Sequence, residues 1–488
     1  MATRLTTILV AVIVGATFIA GLIVGAQRDD ASGPVDLIIV NGKVYPGGGA
    51  AIQEAVAVRG NQILRVGSNR DVKRLRRAQT MVLDAHGATV LPGLNDAQVH
   101  LIAGGLTIDH LNLAPARTID DLESELRHYA EERPSAAWLV GRNGDADLLA
   151  AANAPARKIL DEAVNDRPVL VTSEDGHVAW ANSKALGLAG ITPKTRNRRP
   201  GIVKDRRTGE PTGVLKDDAV GLLTRVVPQP SRAQKLAALR GAIDEAHSFG
   251  ITSVQSLSAG DEELQLLDEI RQDGELTLRV SASLSVPSTI TEAEVLELNA
   301  LRDRYPDDPT LKLGGVTVVC PCESAQIARA VALLDRHNWT VTVQTVNGSD
   351  VHAAAGAFEH AADVNQPPAR GRRHRLDQSL LGEGQTRVLL GSNWPASPLD
   401  PRDTIEEAVA APGDLRDVID GYTSHAAYAS YDEQRKGTLA RGMLADIVIL
   451  SNDIFVPRLD ALRETAVTVT IFDGKIVYQR PAAASSND

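Results

Sequence analysis

The sequence Ser-Glu-Asp-Gly-His brings acidic and basic groups close together, at Glu174, Asp175 and His177. A carboxylate beside an imidazole can act as general acid–base machinery, and a structural hydrogen-bonded pair is the alternative interpretation. No Gly-x-Ser-x-Gly sequence is present that would place a nucleophilic serine on a sharp turn. The two cysteines, Cys320 and Cys322, are too few for a zinc site and too close for an unstrained disulfide. We therefore interpret them as buried thiols.

The overall composition is that of an acidic globular protein. The chain has 488 residues, of which 43% are hydrophobic and 23% charged, and this predicts two or three folded units rather than disorder. The formal net charge is −11 and only 3% of the residues are aromatic, which argues against a nucleic-acid partner. A local basic run, residues 370–375, favours a solvated loop or a partner contact over a phosphate site.

An apolar segment lies near the N-terminus. Residues 5–26 carry no charge and are flanked by Arg4 and Arg28. As a helix, this length spans the hydrocarbon core of a bilayer, about 30 Å. A cleavable signal peptide is the competing interpretation, but the apolar region of such peptides is shorter, about 7–15 residues. We expect an uncleaved single-pass helix in a bacterial inner membrane, with the N-terminus cytoplasmic and the main domain periplasmic.

Small residues recur one helical turn apart in this segment, at Ala11 and Gly15 and at Gly21 and Gly25. This spacing allows a neighbouring helix to approach closely. Because glycine and alanine are common in membrane helices, the pattern is equally compatible with simple abundance.

The rest of the chain shows two kinds of pattern. Near the N-terminus, short β-strand patterns such as VDLIIVNGKVYPGG are separated by Asn-Gly, Gly-Gly and Gly-Asn turns, and the C-terminal end has a matching set that includes AVTVTIFDGKIVY. We interpret them as one composite β-sandwich, with an independent C-terminal domain as the alternative. The middle alternates strand-length apolar runs with helical patterns, which predicts an α/β architecture with a (β/α)8-like barrel of the TIM type. The predicted units are a cytoplasmic tail (1–4), a transmembrane anchor (5–26), a linker (27–34), the β-sandwich (35–88 and 430–480), the barrel (89–429) with an inserted subdomain at about 105–235, and a flexible tail (481–488).

Six segments together resemble one protein family. They are DLIIVNGKVY, AVAVRGNQILRVGS, LPGLNDAQVHLIAGG, SEDGHVAWANSKALGLAGI, LLGSNWPASPLDP and GTLARGMLADIVIL. The chain resembles the amidohydrolase superfamily, specifically the amidohydrolase-3 group that includes N-acyl-amino-acid deacylases and formamide deformylase-like proteins. The resemblance implies a barrel beside a composite sandwich, with one or two divalent metals at the C-terminal face of the barrel. It also places the SEDGH motif near the substrate pocket, so Glu174, Asp175 and His177 are expected to be pocket remnants.

The family's metal-binding positions are mostly altered in this sequence. The resemblance implies a His-x-His pair on strand one, a lysine on strand four, histidines on strands five and six, and an aspartate on strand eight. The residues at these positions here are Gln98, His100, Thr317, Gln344, Gln378 and Asn393. Glutamine and asparagine offer a cation only a neutral carbonyl oxygen, and Asn393 cannot act as a general base. Little chain separates Gln378 from strand eight, so the barrel is predicted to be irregular or incomplete at strand seven.

These replacements predict a catalytically inactive homologue with no catalytic residue, no bound metal and no cofactor. Together with the anchor, they favour an extrinsic, non-catalytic subunit of a membrane-protein complex, for example a respiratory or photosynthetic one. Its partners would be membrane proteins and the lipid bilayer, contacted through the N-terminal helix and the extracytoplasmic domain. One alternative is a hydrolase of amide or N-acyl substrates with an atypical site. The other is an extracytoplasmic small-molecule-binding protein.

Overall fold

A computed structural model of the chain describes residues 34–151, 154–196, 201–320, 323–345, 348–376, 379–380, 387–410, 414–456 and 460–481. The predicted membrane segment, with Ala11, Gly15, Gly21 and Gly25, lies outside these ranges, and so does Gln378. Among the described residues, no helix is long and apolar enough to cross a bilayer.

The strands of the described residues form four sheets. In chain order they are β1 (Leu37–Val40), β2 (Lys43–Val44), β3 (Ala55–Arg59), β4 (Gln62–Gly67), β5 (Met81–Asp84), β6 (Thr89–Pro92), β7 (Leu94–Val99), β8 (Leu111–Asn112), β9 (Leu139–Gly144), β10 (Val169–Ser173), β11 (Val178–Ala181) and β12 (Ile202–Lys204). They continue as β13 (Pro211–Lys216), β14 (Ile251–Ala259), β15 (Arg279–Val286), β16 (Leu311–Val319), β17 (Val341–Gln344), β18 (Arg375–Leu376), β19 (Ser379–Leu380), β20 (Arg387–Val388), β21 (Ile447–Leu450), β22 (Val467–Phe472) and β23 (Lys475–Gln479).

The helices alternate with these strands through the middle of the chain. They are α1 (Asn69–Lys73), α2 (Leu101–Ile108), α3 (Ile119–Glu132), α4 (Ala146–Ala151), α5 (Ala156–Ala163), α6 (Ser183–Leu188), α7 (Val220–Thr224), α8 (Arg232–Ser248), α9 (Asp261–Gln272), α10 (Glu292–Arg304), α11 (Ser324–Arg336), α12 (Gly348–Val364), α13 (Pro401–Ala410), α14 (Leu415–Gly421), α15 (Ser424–Ala429) and α16 (Asp460–Arg463). Capping boxes at Thr118, Ser231 and Thr291 satisfy backbone N–H groups at the starts of α3, α8 and α10.

The largest sheet is an α/β TIM-like barrel. Strands β7, β14, β15, β16, β17 and β18 are parallel neighbours in that order, with helices α8 to α12 between them along the chain. The ring closes where Ala97 N donates to Leu390 O at 3.0 Å and a parallel bridge joins Val99 to Trp394. Gly104 in α2 leaves room for the Trp394 ring, which an added Cβ would overlap. The predicted TIM-type barrel is confirmed.

The barrel departs from regular β/α alternation after β18. Strand β19 pairs antiparallel with β18, and β20 pairs antiparallel with β19. In the described part of this region, two-residue strands therefore stand in place of a further parallel strand and its helix. This excursion falls where the sequence predicts an irregular or missing strand seven.

The barrel begins later than residue 89, the predicted boundary. Strand β6 belongs to the sandwich, because it pairs antiparallel with β21 in the register Leu91–Val448. Only from Leu94 does the chain pair with β14 of the barrel. It crosses from one sheet to the other at Gly93, where an added Cβ would overlap the Thr252 side chain. The sequence does not reveal this boundary, because the turn-favouring residues Pro92, Gly93, Asn95 and Asp96 in residues 89–99 do not mark which sheet each part joins.

Strands from both ends of the chain share one core. The four-stranded sheet β4-β3-β1-β5 and the five-stranded sheet β2-β6-β21-β22-β23 face each other. Their inward side chains form one apolar cluster that includes Ile39, Val56, Ile447 and Ile471. Burial of this cluster supplies the main stabilisation of the two sheets.

The segment between α2 and α8 forms a further sheet with the order β12-β13-β11-β10-β9-β8. On one face, Leu139, Val171 and Trp180 pack against helices α3 and α5. The alternate residues of β9, Val140 and Arg142, point to the other face. That face is turned towards the mouth of the barrel.

Cys320 follows the end of β16 and is disulfide-bonded, which corrects the expectation of a buried thiol. Cys322 lies outside the described residues. Spacing along the chain indicates strain in a bond but does not exclude the bond.

Candidate functional site

A cleft of about 620 Å³ lies between the C-terminal end of the barrel and the inserted sheet. The barrel contributes His100, which follows β7, Gln344, which ends β17, and Asn393 from the closing segment. The inserted sheet contributes Arg142 from β9 and Glu174 from the turn after β10. TIM-barrel enzymes carry their active sites at this face, so the cleft is the candidate functional site.

Gln98 and Asn393 are hydrogen-bonded to each other at the barrel seam. Gln98 Nε2 donates to Asn393 Oδ1 at 3.1 Å, and Asn393 N donates to Gln98 O at 2.8 Å. Burial lowers the pKa of His100, while hydrogen bonding to the Leu257 backbone and the Asn393 side chain opposes this change. The His100 imidazole is therefore neutral at pH 7. All three side chains are uncharged.

Thr317 and Gln344 have different surroundings. Thr317 is fully buried, and its Oγ1 donates to Ser283 Oγ at 3.1 Å inside the barrel. Gln344 is half-buried and lines the cleft. Of the described positions that the resemblance assigns to metal ligands, His100, Gln344 and Asn393 line the cleft, whereas Gln98 and Thr317 do not.

The SEDGH turn forms the rim of the cleft. Asp175 Oδ1 accepts hydrogen bonds from Ser173 Oγ at 2.6 Å and from His177 N at 3.0 Å, and these bonds lower the pKa of Asp175. The imidazole of His177 instead lies 3.2 Å from Asp217 Oδ1, and both side chains are exposed. The carboxylate of Asp175 therefore fixes the turn and does not form a side-chain pair with His177. Asp175 lines the cleft and His177 does not.

Sequence reasoning did not identify Asp96, a fully buried carboxylate beside the site. It accepts hydrogen bonds from Gln98 N at 2.9 Å and from Ser392 N at 3.1 and 3.0 Å. Burial raises the pKa of Asp96 to about 6, although these hydrogen bonds oppose the shift. The sequence contained one signal for Asp96, an acidic residue inside an apolar strand. A buried carboxylate needs hydrogen-bond donors around it, so its position indicates a polar site.

Sequence reasoning also missed two basic residues of the cleft, Arg142 and His110. Burial lowers the pKa of His110, and the charge of Arg142 lowers it further. The alternation of β9 was the available signal for Arg142, because it places this residue on the face opposite Leu139. No comparable pattern marks His110.

The side chains at the barrel mouth do not fit a divalent cation. Zinc sites use at least three nitrogen, sulfur or carboxylate ligands, and His100 is the one such side chain at the described ligand positions. Asn393 Oδ1 already accepts a hydrogen bond from Gln98, and Thr317 faces Ser283. In the described ranges, no group of three or more His, Cys, Asp or Glu residues could hold a metal ion. No catalytic step through a metal follows from these residues.

Comparison with known proteins places this geometry in a family. The model of the "Amidohydrolase family" matches residues 81–386 and 379–478. "Protein LONG AFTER FAR-RED 3" of Arabidopsis thaliana is 26% identical over 541 residues, covering 91% of each chain. The "Putative amidohydrolase YtcJ" of Bacillus subtilis (strain 168) is 24% identical over 513 residues, covering 88% of this chain and 96% of that protein. An uncharacterized metal-dependent hydrolase from Pyrococcus horikoshii superposes with a TM-score of 0.65 at 18% identity, over 87% of this chain and 99% of that one, which shows a shared fold. This chain belongs to the amidohydrolase family, in the amidohydrolase-3 group.

Proposed function

We propose that this chain is a non-catalytic, metal-free amidohydrolase homologue that uses the cleft at the barrel mouth to bind a small molecule. The observation that carries this proposal is the hydrogen bond between Gln98 Nε2 and Asn393 Oδ1. Two neutral carboxamides satisfy each other at positions that the family resemblance assigns to a histidine and an aspartate. A cation is not needed to hold them together.

Electrostatics supports the same conclusion. In a metal site, imidazoles and carboxylates converge on the cation. When the cation is removed, these side chains lose their main partner. Here the converging groups are His100, which is neutral at pH 7, and the carboxamides of Gln344 and Asn393. A fully buried carboxylate next to them, Asp96, is held by backbone N–H groups and does not line the cleft.

At the position that the resemblance gives to the catalytic aspartate, the described site offers no general base. Asn393 cannot accept a proton from a water molecule as an aspartate can. On the rim, the carboxylate of Asp175 is engaged by Ser173 and by the His177 backbone, which lowers its pKa and weakens it as a base. The cleft therefore retains its volume and polar lining without an aspartate at the position that the resemblance gives to the base, which supports a binding role.

Metal content and hydrolysis test this proposal together. The full-length chain, produced with added zinc and purified in mild detergent, is expected to contain far less than one zinc per chain by elemental analysis. It is also expected to hydrolyse N-acyl amino acids and N-substituted formamides no faster than the His100→Ala variant. Stoichiometric zinc together with hydrolysis, both lost in His100→Ala, would overturn the proposal and establish the hydrolase alternative.

The uncharged segment 5–26 supports a second proposal, that the domain is an extrinsic subunit of a membrane-protein complex in a bacterial inner membrane. A fixed set of membrane proteins should then co-purify with the chain in mild detergent. Replacing residues 1–26 by a cleavable signal peptide should release the domain and abolish this co-purification. If the chain is recovered without any fixed partner, the subunit role is contradicted. If the released domain still recovers the same partners, segment 5–26 serves only to attach the domain to the membrane and does not bind the partners.

A further inference from the structure

Arg142 is the cation of the cleft wall that the inserted sheet provides. It lies on β9 beside β10, and Val140, Leu170 and Thr172 extend the same wall. Residues of these strands that alternate with them, Leu139 and Val171, are buried in the core of the subdomain. The strand alternation therefore fixes Arg142 on the side of the sheet that faces the barrel mouth.

The guanidinium of Arg142 lacks a protein partner within the described chain. Its Nε is shielded from solvent and has no hydrogen-bond acceptor there, and no described carboxylate forms an ion pair with it. The acidic side chain whose titration it affects, Glu245, is itself half-buried, and burial raises the pKa of Glu245. An N–H donor that is removed from water without an acceptor is costly, so a ligand acceptor at Arg142 would relieve this cost.

The other groups of the cleft define what such a ligand carries. Arg142 is the one arginine or lysine among the described residues that line the cleft, and a guanidinium is charged positively at pH 7. One cation in the cleft matches one negative charge on the ligand. The acidic rim formed by Glu174 and Asp175 repels a second negative charge on the ligand. The opposite wall presents neutral hydrogen-bonding groups on Gln344 and Asn393.

We infer that the cleft binds a small organic monoanion whose carboxylate pairs with Arg142 and whose other end is polar and uncharged. A planar guanidinium matches a carboxylate through two parallel N–H donors, and this geometry favours a carboxylate over a spherical anion. The volume of about 620 Å³ suits a ligand of this size. The inference rests on the proposed binding function and specifies the class of its ligand.

Calorimetric titration of the full-length chain in mild detergent tests this inference with three four-carbon probes of matched size and with inorganic phosphate. Succinamate carries one carboxylate and one uncharged amide, succinamide carries no charge, succinate carries two carboxylates, and inorganic phosphate is not planar. Succinamate is expected to bind, and the other three are expected to bind at least about tenfold more weakly. Arg142→Met should weaken succinamate binding by about tenfold or more, because the charged partner is lost. The matched control Arg206→Met, which changes an exposed arginine outside the cleft, should leave binding unchanged.

Several results would overturn the inference. They are equal binding of succinamide, tighter binding of succinate or phosphate, unchanged binding by Arg142→Met, or no binding of any probe by the natural chain. If circular dichroism shows that Arg142→Met does not fold, Arg142→Gln removes the charge while keeping a planar hydrogen-bonding group. Zinc content and hydrolysis are measured on the same preparation, so a failed carboxylate site and a failed metal-free proposal give different results.

Discussion

Gln98 Nε2 and Asn393 Oδ1 are joined by a 3.1 Å hydrogen bond across the seam where the barrel closes. Because both backbones are also bonded here, the two side chains are held in place by the fold and not only by each other. The seam therefore allows two substitutions to be tested at fixed backbone positions.

Changing Gln98→His and Asn393→Asp together is expected to create a zinc site. With His100, the double variant has two imidazoles and a carboxylate at the barrel mouth, and zinc sites with three protein ligands are common. Elemental analysis after dialysis should find about one zinc per chain, whereas the natural chain should retain none. The triple variant that also carries His100→Ala is the control and should lose the metal. A natural chain that retains as much zinc as the double variant would contradict this prediction.

Thr317 is expected to tolerate loss of its hydroxyl far better than replacement by a lysine. Thr317→Val removes the hydrogen bond to Ser283 and should lower the free energy of unfolding by about 1 kcal/mol. Thr317→Lys places an ammonium at a fully buried position and should cost about 3 kcal/mol or more. Urea unfolding followed by circular dichroism measures both changes. Ser283→Ala combined with Thr317→Val should cost less than the sum of the single changes, and equal stability of the two Thr317 variants would refute the argument.

Asp96 should make stability depend on pH between about 4 and 6. Its pKa is raised from 3.8 to about 6 in the folded chain by burial, so in this window the folded chain binds more protons than the unfolded chain. The free energy of unfolding therefore falls as pH rises through the window, by about 3 kcal/mol if this group acts alone. Asp96→Asn should remove this decrease in the free energy of unfolding with pH, even if the variant is more or less stable than the natural chain at every pH. Urea unfolding at several pH values measures the slope, and an unchanged slope in the variant would show that other groups cause it.

A buried cluster of Lys312, Asp432 and Lys436 lies at the opposite end of the barrel, and its charges should affect stability. Lys312 Nζ lies 2.6 Å from Asp432 Oδ1, and Lys436 Nζ lies 3.6 Å from Asp432 Oδ2. Asp432→Asn leaves both ammonium groups without this counter-charge and should lower the free energy of unfolding by about 3–5 kcal/mol. Lys436→Met should cost much less, since it removes one charge and leaves the Lys312–Asp432 pair intact.

The same cluster adds a pH dependence in the alkaline range. Burial lowers the pKa of Lys436 from 10.5 to about 8, and the charge of Asp432 opposes the shift. Between these values the unfolded chain binds more protons, so the free energy of unfolding should rise with pH. Lys436→Met should reduce this rise in urea unfolding curves, whereas Lys475→Met, which removes an exposed lysine, should not. A rise of equal size in Lys436→Met would assign it to other groups.

Local pattern in the sequence was sufficient to predict the barrel. The alternation of apolar strands with capped helices is a short-range property, so the TIM-type barrel could be predicted. The assignment of the replaced residues to metal-ligand positions stays a prediction from the resemblance. Three of these residues, His100, Gln344 and Asn393, line the cleft in the structure.

Features that depend on distant partners could not be predicted in the same way. Asp96 is stabilised by the N–H of Ser392, which is almost 300 residues away in sequence. Arg142 matters because the described protein gives it no partner, and a sequence does not show which charges stay unpaired. The boundary at Gly93 depends on pairing with distant strands, because β6 pairs with β21 of the sandwich and β7 pairs with β14 of the barrel.

The pairing of β6 with β21 also constrains the order in which the chain can fold. Residues 89–92 leave the ribosome long before residues 447–450, so one edge of β6 has no partner while the barrel is being synthesised. An unpaired edge is prone to join other chains. The short length of β6 and the proline at its end, Pro92, limit that risk until the C-terminal strands arrive. Truncation after the barrel would therefore leave one edge of β6 unpaired and prone to aggregation. The C-terminal strands protect this edge by pairing with it.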